Sequence, residues 1–177
     1  MLEGSAQRIR KAAGVKINPM NSASPCATLI ERYMSTSGLR FFRGQHDGEY
    51  FFIGNAHPRL HVHLEVSPSF GDVVIIRVTP ASFYPVADRP WLTRFADTWN
   101  QRNREVTAIL HGSSDPQRIG VVARRSQWIR ESMSLEDFAS FVDRTVTAAI
   151  DLFAELNSVV ELPSRFQDEQ PWLRDAS

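Results

Sequence analysis

Two runs of adjacent aromatic residues, Phe41-Phe42 and Tyr50-Phe51-Phe52, flank an Asp47-Gly48 pair. Asp-Gly is favoured in tight hairpins because both central residues tolerate positive φ, so Leu39 to Arg43 and Tyr50 to Gly54 are expected to be the two arms of a hairpin. Successive side chains of a strand point to opposite faces. One aromatic of each adjacent pair therefore cannot share the core with its neighbour. Such a chain either covers both faces of its sheet or leaves large apolar side chains in the open, where they mark partner-binding surfaces.

The pattern around this hairpin is that of a mixed domain. Ser24-Pro25 combines a helix N-cap with proline at the first helical position. Leu29, Ile30, Tyr33 and Met34 follow at helical spacing up to Gly38, which suits a helix stop. Strand-like runs cover Leu60 to Val66 and Val73 to Val78, with a turn-like Ser67 to Asp72 between them. After Pro90, the residues Trp91, Leu92, Phe95, Ala96 and Trp99 line one side of a second helix that ends near Asn103. Glu105 to Leu110 and Ile119 to Ala123 form another strand pair. Ser134 and Asp137 are close to a capping box and open the longest helix, expected from Leu135 to about Leu156. Its stripe of Leu135, Phe138, Val142, Val146, Ala149, Phe153 and Leu156 is suited to a core or to a dimer seam.

At 177 residues the chain fits one domain able to bury roughly 70% of its unfolded surface. The expected organisation is a flexible basic arm over 1–23, carrying Arg8, Arg10, Lys11 and Lys16, a single α+β domain over 24–162, and an acidic tail over 163–177. Phe166 and Trp172-Leu173 are large apolar residues within that tail. Twenty basic and twenty acidic side chains give zero formal charge, so no global field draws the protein to nucleic acid or membrane. Cys26 is the only cysteine, which excludes an intrachain disulfide and any multi-thiolate metal site. The absence of a secretory h-region at the N-terminus and of a long apolar run points to the cytoplasm.

Candidate chemistry is sparse. His61, His63 and Glu65 alternate on one strand face and His57 precedes it, so these groups are placed to converge on zinc or copper. The competing assignment puts Val62, Leu64 and Val66 in the core and the alternate residues on a solvated sheet face. Arg124, Arg125 and Arg130 with Trp128 have the composition of a phosphate or base contact. Glu131, Glu136 and Asp137 are close enough in sequence to form a local ion-pair network with them instead. Cys26, in the first turn of a helix, is placed either as a reactive thiol or as a small buried hydrophobe. There is no Gly-x-Ser-x-Gly elbow and no glycine-rich phosphate loop.

The stretch Trp91-Leu92-Thr93-Arg94-Phe95-Ala96-Asp97-Thr98-Trp99-Asn100-Gln101-Arg102-Asn103, followed by a strand pair and then Met133-Ser134-Leu135-Glu136-Asp137-Phe138 opening a helix that ends Phe153-Ala154-Glu155-Leu156, resembles the YbjN-domain family. By element order the resemblance spans about Pro25 to Leu156. Members are described as bacterial sensory transduction regulators, and their fold is similar to that of type III secretion chaperones, which bind extended segments of other proteins. The resemblance implies no catalytic residue.

The expected fold is thus α+β, a twisted antiparallel sheet with helices packed mainly on one face. The expected function is non-catalytic: a chaperone-like or regulatory module, cytoplasmic and homodimeric, that binds a partner protein without metal or cofactor. Phe41, Phe42, Phe51, Phe52, Trp91, Phe95, Trp99 and Trp128 are the candidate contact residues. The alternative is a metal protein or enzyme using His57, His61 and His63.

Overall fold

The computed structural model describes residues 24–54 and 59–167, with side chains described up to Val159. The arm over 1–23, His57 and the last ten residues of the tail lie outside the described residues.

The first helix, α1, spans Pro25–Thr36. Ser24 caps it, its hydroxyl accepting from the Ala27 N–H at 3.1 Å, and Gly38 follows in the left-handed conformation at φ 64°. Four strands then form a meander: β1 Phe41–Arg43, β2 Glu49–Gly54, β3 Leu60–Val66 and β4 Val73–Pro80. Gly48 takes the positive φ of 83° that the turn from β1 to β2 requires. The pair registers are antiparallel throughout, with Phe42 opposite Phe51 and Phe51 opposite His63.

A two-residue strand β5 (Tyr84–Pro85) and a single 3-10 turn (Val86–Asp88), neither of them expected from the sequence, lead into helix α2, Arg89–Arg102. Strands β6 (Thr107–Gly112) and β7 (Arg118–Trp128) follow. β7 is more than twice the length its apolar run suggests, because its second half pairs with β4 while its first half pairs with β6. The sheet order is β1-β2-β3-β4-β7, with β5 and β6 also paired to β7. Ile119 is opposite both Tyr84 and Gly112, so β5 and β6 lie on different edges of β7.

The last helix, α3, spans Leu135–Gln167 and runs well past the expected end near Leu156. It opens as its sequence implies, with the Ser134 hydroxyl accepting from the Asp137 N–H at 3.0 Å and donating to Asp137 Oδ2 at 2.7 Å.

One sheet face and the helices enclose the core. Tyr50, Phe52, Leu60, Val62, Leu64, Val74, Ile76, Val78, Ile119, Val121 and Ala123 face α1 and α3, whose Ile30, Met34, Phe138, Phe141, Val142, Leu152 and Leu156 meet them. Leu92, Ala96 and Trp99 of α2 join the same cluster beside Val106 and Ala108. The apolar stripe of α3 is thereby buried within one chain. The fold is α+β with an antiparallel sheet, as the sequence predicts.

Asn100 contributes something its sequence setting does not announce. Its side-chain amide donates to the Ala108 carbonyl at 3.0 Å and accepts from the Ala108 N–H at 2.8 Å, acting like a strand residue against the edge of β6. Asn103 is the residue that ends the helix, its backbone N–H donating to the Trp99 carbonyl at 2.9 Å.

Candidate functional site

Period two sorts the hairpin aromatics between the two faces. Phe52 is 5% exposed and Tyr50 is buried, whereas their neighbours Phe51 and Ile53 are 37% and 50% exposed. On β1, Phe41 packs against the core and Phe42 is 69% exposed. The cross-strand pair Phe42 and Phe51, with Ile53 two residues along β2, makes a contiguous apolar strip. It lies where β1, three residues long, ends the described sheet order. Trp128 is 65% exposed and lies on the same sheet face, opposite Val73. Ile75 and Val122 are buried on this face too, yet neither belongs to the core cluster.

The eight candidate contact residues therefore divide into three groups. Phe42, Phe51 and Trp128 are on the outer face, Phe41, Trp91 and Phe95 are half-buried against the core, and Phe52 and Trp99 are interior. Trp91 meets Tyr84 edge-on at 6.1 Å, and the Trp99 indole nitrogen is buried without a hydrogen-bond partner.

Beside the aromatic strip the outer face carries a compact polar cluster. Glu49 and Glu65 are directly opposite on β2 and β3. His63 lies between them, with Nε2 3.1 Å from Glu49 Oε1 and 3.7 Å from Glu65 Oε2. Phe51 holds the imidazole from one side, the two rings stacked at 4.3 Å and 7°. Arg77 of β4 places Nη1 2.7 Å from Glu65 Oε1 and 3.5 Å from His63 Nδ1. Burial lowers the His63 pKa below its ordinary value, against the opposing pull of Glu65 and Glu49. Nε2 is shielded from water and, although it lies close to Glu49, has no hydrogen bond of good geometry.

Among the described residues His61 is exposed and stands outside this cluster, and the groups brought together are Glu49, His63 and Glu65. Glu49 was hidden from sequence reasoning because it arrives from the neighbouring strand. The arginines also depart from expectation. Arg125 pairs with Glu105, not with Glu131, Glu136 or Asp137, and its guanidinium lies 5.2 Å from the Phe141 ring centre. Arg124 and Arg130 are exposed. Cys26 is buried, and burial together with the Asp72 charge raises its pKa, the opposite of an activated thiol.

A cavity of about 420 Å³ between α1 and the hairpin is lined by Glu31, Arg43, Tyr50 and Val66, among others. Glu31 accepts from the Tyr50 hydroxyl at 2.8 Å and pairs with Arg43 at 2.9 Å, so these three side chains are linked across the cavity wall. That arrangement braces the hairpin against α1. No described helix is long and apolar enough to cross a membrane.

No protein-family model matches the sequence, and no curated protein matches it. The structure is similar to the crystal structure of YbjN from E. coli, which is described as a proposed transcription regulator. The two share 15% identity with a TM-score of 0.57, over 74% of this chain and 90% of that one. At that identity the likeness establishes a shared YbjN-like fold.

Proposed function

We propose that the chain is a non-catalytic, regulatory protein-binding module that holds an extended segment of a partner against the outer face of its sheet. The observation that supports it is the strip of Phe42, Phe51 and Ile53, three large apolar side chains left outside a core that is already filled. Apolar surface of that kind gains free energy when covered, at roughly 25 cal/mol per Å². The strip adjoins β1, whose second edge has no strand partner among the described residues. An extended peptide there gains backbone hydrogen bonds from the edge and side-chain contacts from the face together. A regulatory role agrees with the description of YbjN.

The α3 stripe gives no support to a homodimer, since those residues face the interior of their own chain. A second copy of the chain is one partner that the outer face accommodates, and light scattering over a range of concentrations detects it.

The test is a photo-crosslinking amino acid at position 42 in the native cell, compared with the same group at position 94 on α2, which is also exposed. Position 42 should yield a discrete partner adduct that the Ile53→Ala variant diminishes. Absence of any adduct at 42, or identical adducts at 42 and 94, would refute the reading.

A further inference from the structure

We propose that Glu49, His63 and Glu65 form a binding site for a divalent cation of the zinc type, bound through His63 Nε2 and one oxygen of each carboxylate.

Strand register is the first support. Glu49 and Glu65 are directly opposed on adjacent strands. The neighbouring pair is joined by the Val66 N–H donating to the Gly48 carbonyl at 2.9 Å, which makes Glu49 and Glu65 a non-hydrogen-bonded pair, the kind whose side chains come closest. Like charges placed this way destabilise a sheet unless a cation intervenes. Arg77 supplies one positive charge, at Glu65 Oε1, which leaves Oε2 facing His63; Glu49 has no Arg or Lys partner among the described residues, its Oε2 accepting only from the His46 N–H at 3.4 Å.

Geometry at the imidazole is the second. Two ligands on one zinc ion, each bonded at about 2.1 Å, lie roughly 3.0 to 3.5 Å from each other across the angles of a tetrahedral or octahedral site. Nε2 and Glu49 Oε1, 3.1 Å apart, fall inside that range; Nε2 and Glu65 Oε2, 3.7 Å apart, lie just outside it, and with all three ligand atoms within 4.8 Å of one another the carboxylates must close in to hold the ion. A hydrogen bond needs the acceptor along the ring N–H direction, whereas a shared metal needs the nitrogen lone pair aimed between the acceptors. Nε2 lies within reach of both carboxylates and is buried with no hydrogen bond of good geometry.

The third support is preorganisation. Phe51 stacks on the His63 ring and fixes its plane, and Arg77 holds Glu65 by the oxygen turned away from His63. All three residues are half-buried, with side-chain exposures of 18% for His63, 19% for Glu49 and 15% for Glu65. Metal on Nε2 places the ring proton on Nδ1, facing the Arg77 Nη1 donor 3.5 Å away, so the Arg77 guanidinium must turn from the ring when the ion binds.

Zinc is the probe. Full-length protein stripped of metal is titrated with zinc by calorimetry, beside His63→Gln, Glu49→Gln and His61→Gln, each checked for folding by circular dichroism. The expected result is one ion per chain, with affinity reduced at least tenfold by His63→Gln and by Glu49→Gln and unchanged by His61→Gln. A shift of the His63 ring carbon resonances on zinc addition is expected as the second readout. No heat with the wild-type protein overturns the proposal. So does zinc uptake that survives His63→Gln and Glu49→Gln in folded protein, because the ion would then be held by other groups, His57 among them.

Discussion

Replacing the hairpin phenylalanines one at a time by alanine separates side chains that hold the fold from side chains left over for a partner. Phe52 is 5% exposed and lies in the cluster with Val62 and Leu64. Its truncation returns on the order of 100 Å² of apolar surface to the ledger, about 2.5 kcal/mol at 25 cal/mol per Å². The cavity left behind raises the total to about 3 to 5 kcal/mol. Phe42 is 69% exposed, so only about a third of that transfer energy is at stake and no enclosed cavity forms; the cost stays below about 1 kcal/mol. Phe51 falls between them at about 2 kcal/mol, combining partial burial with its stack on His63. For a chain of this length each kcal/mol moves Tm by about 2 to 4 °C. Thermal melts followed by circular dichroism should therefore show a loss of roughly 10 °C for Phe52→Ala and no more than about 3 °C for Phe42→Ala. Equal losses would mean that Phe42 is covered in the folded protein, and the docking strip would not exist.

Three further outcomes follow from single contacts. Asn100→Ala strips both partners from the buried Ala108 backbone and should cost about 2 to 4 kcal/mol in urea denaturation; a loss under 0.5 kcal/mol (roughly the scatter of surface substitutions) would remove Asn100 from the account of β6. Gly48→Ala should destabilise by more than about 1 kcal/mol, since φ is 83° and a Cβ there comes within 2.9 Å of Val66 Cγ2, and retention of the wild-type Tm would contradict that backbone conformation. Burial and the bond to Glu31 push the Tyr50 pKa up to about 12, so the folded state keeps a proton that the unfolded chain releases near 10. The stability Tyr50 contributes is present below pH 10 and is lost as pH rises from about 10 to about 12. Burial raises the Tyr33 and Tyr84 values as well, so Tyr50→Phe should reduce the slope of the stability profile in that window without abolishing it, and an unchanged slope would exclude Tyr50 as a contributor.

Local rules carried most of the architecture. Ser24-Pro25 and Ser134 with Asp137 start α1 and α3 where capping chemistry puts them, and Leu60–Val66 is a strand with the limits its alternation implies. Boundaries shifted where tertiary pairing outvoted composition. The polar second half of β7, Arg124 to Trp128, is a strand because β4 offers it an open edge, and Tyr84-Pro85 is a strand because β7 offers one too. Of the candidate contact residues, Phe52 and Trp99 proved interior while Phe42 and Trp128 proved open, a division that aromatic content alone does not make.

Sequence alone determined that adjacent aromatics in the hairpin face opposite ways, since a strand has a period of two whatever surrounds it. Which of the two faces the helices cover was settled only in three dimensions, because that depends on where α1 and α3 land rather than on any local preference. The same holds for the polar cluster. His63 and Glu65 are neighbours in sequence, but Glu49 and Arg77 reach them from two other strands, and the registers that align those strands are properties of the assembled sheet.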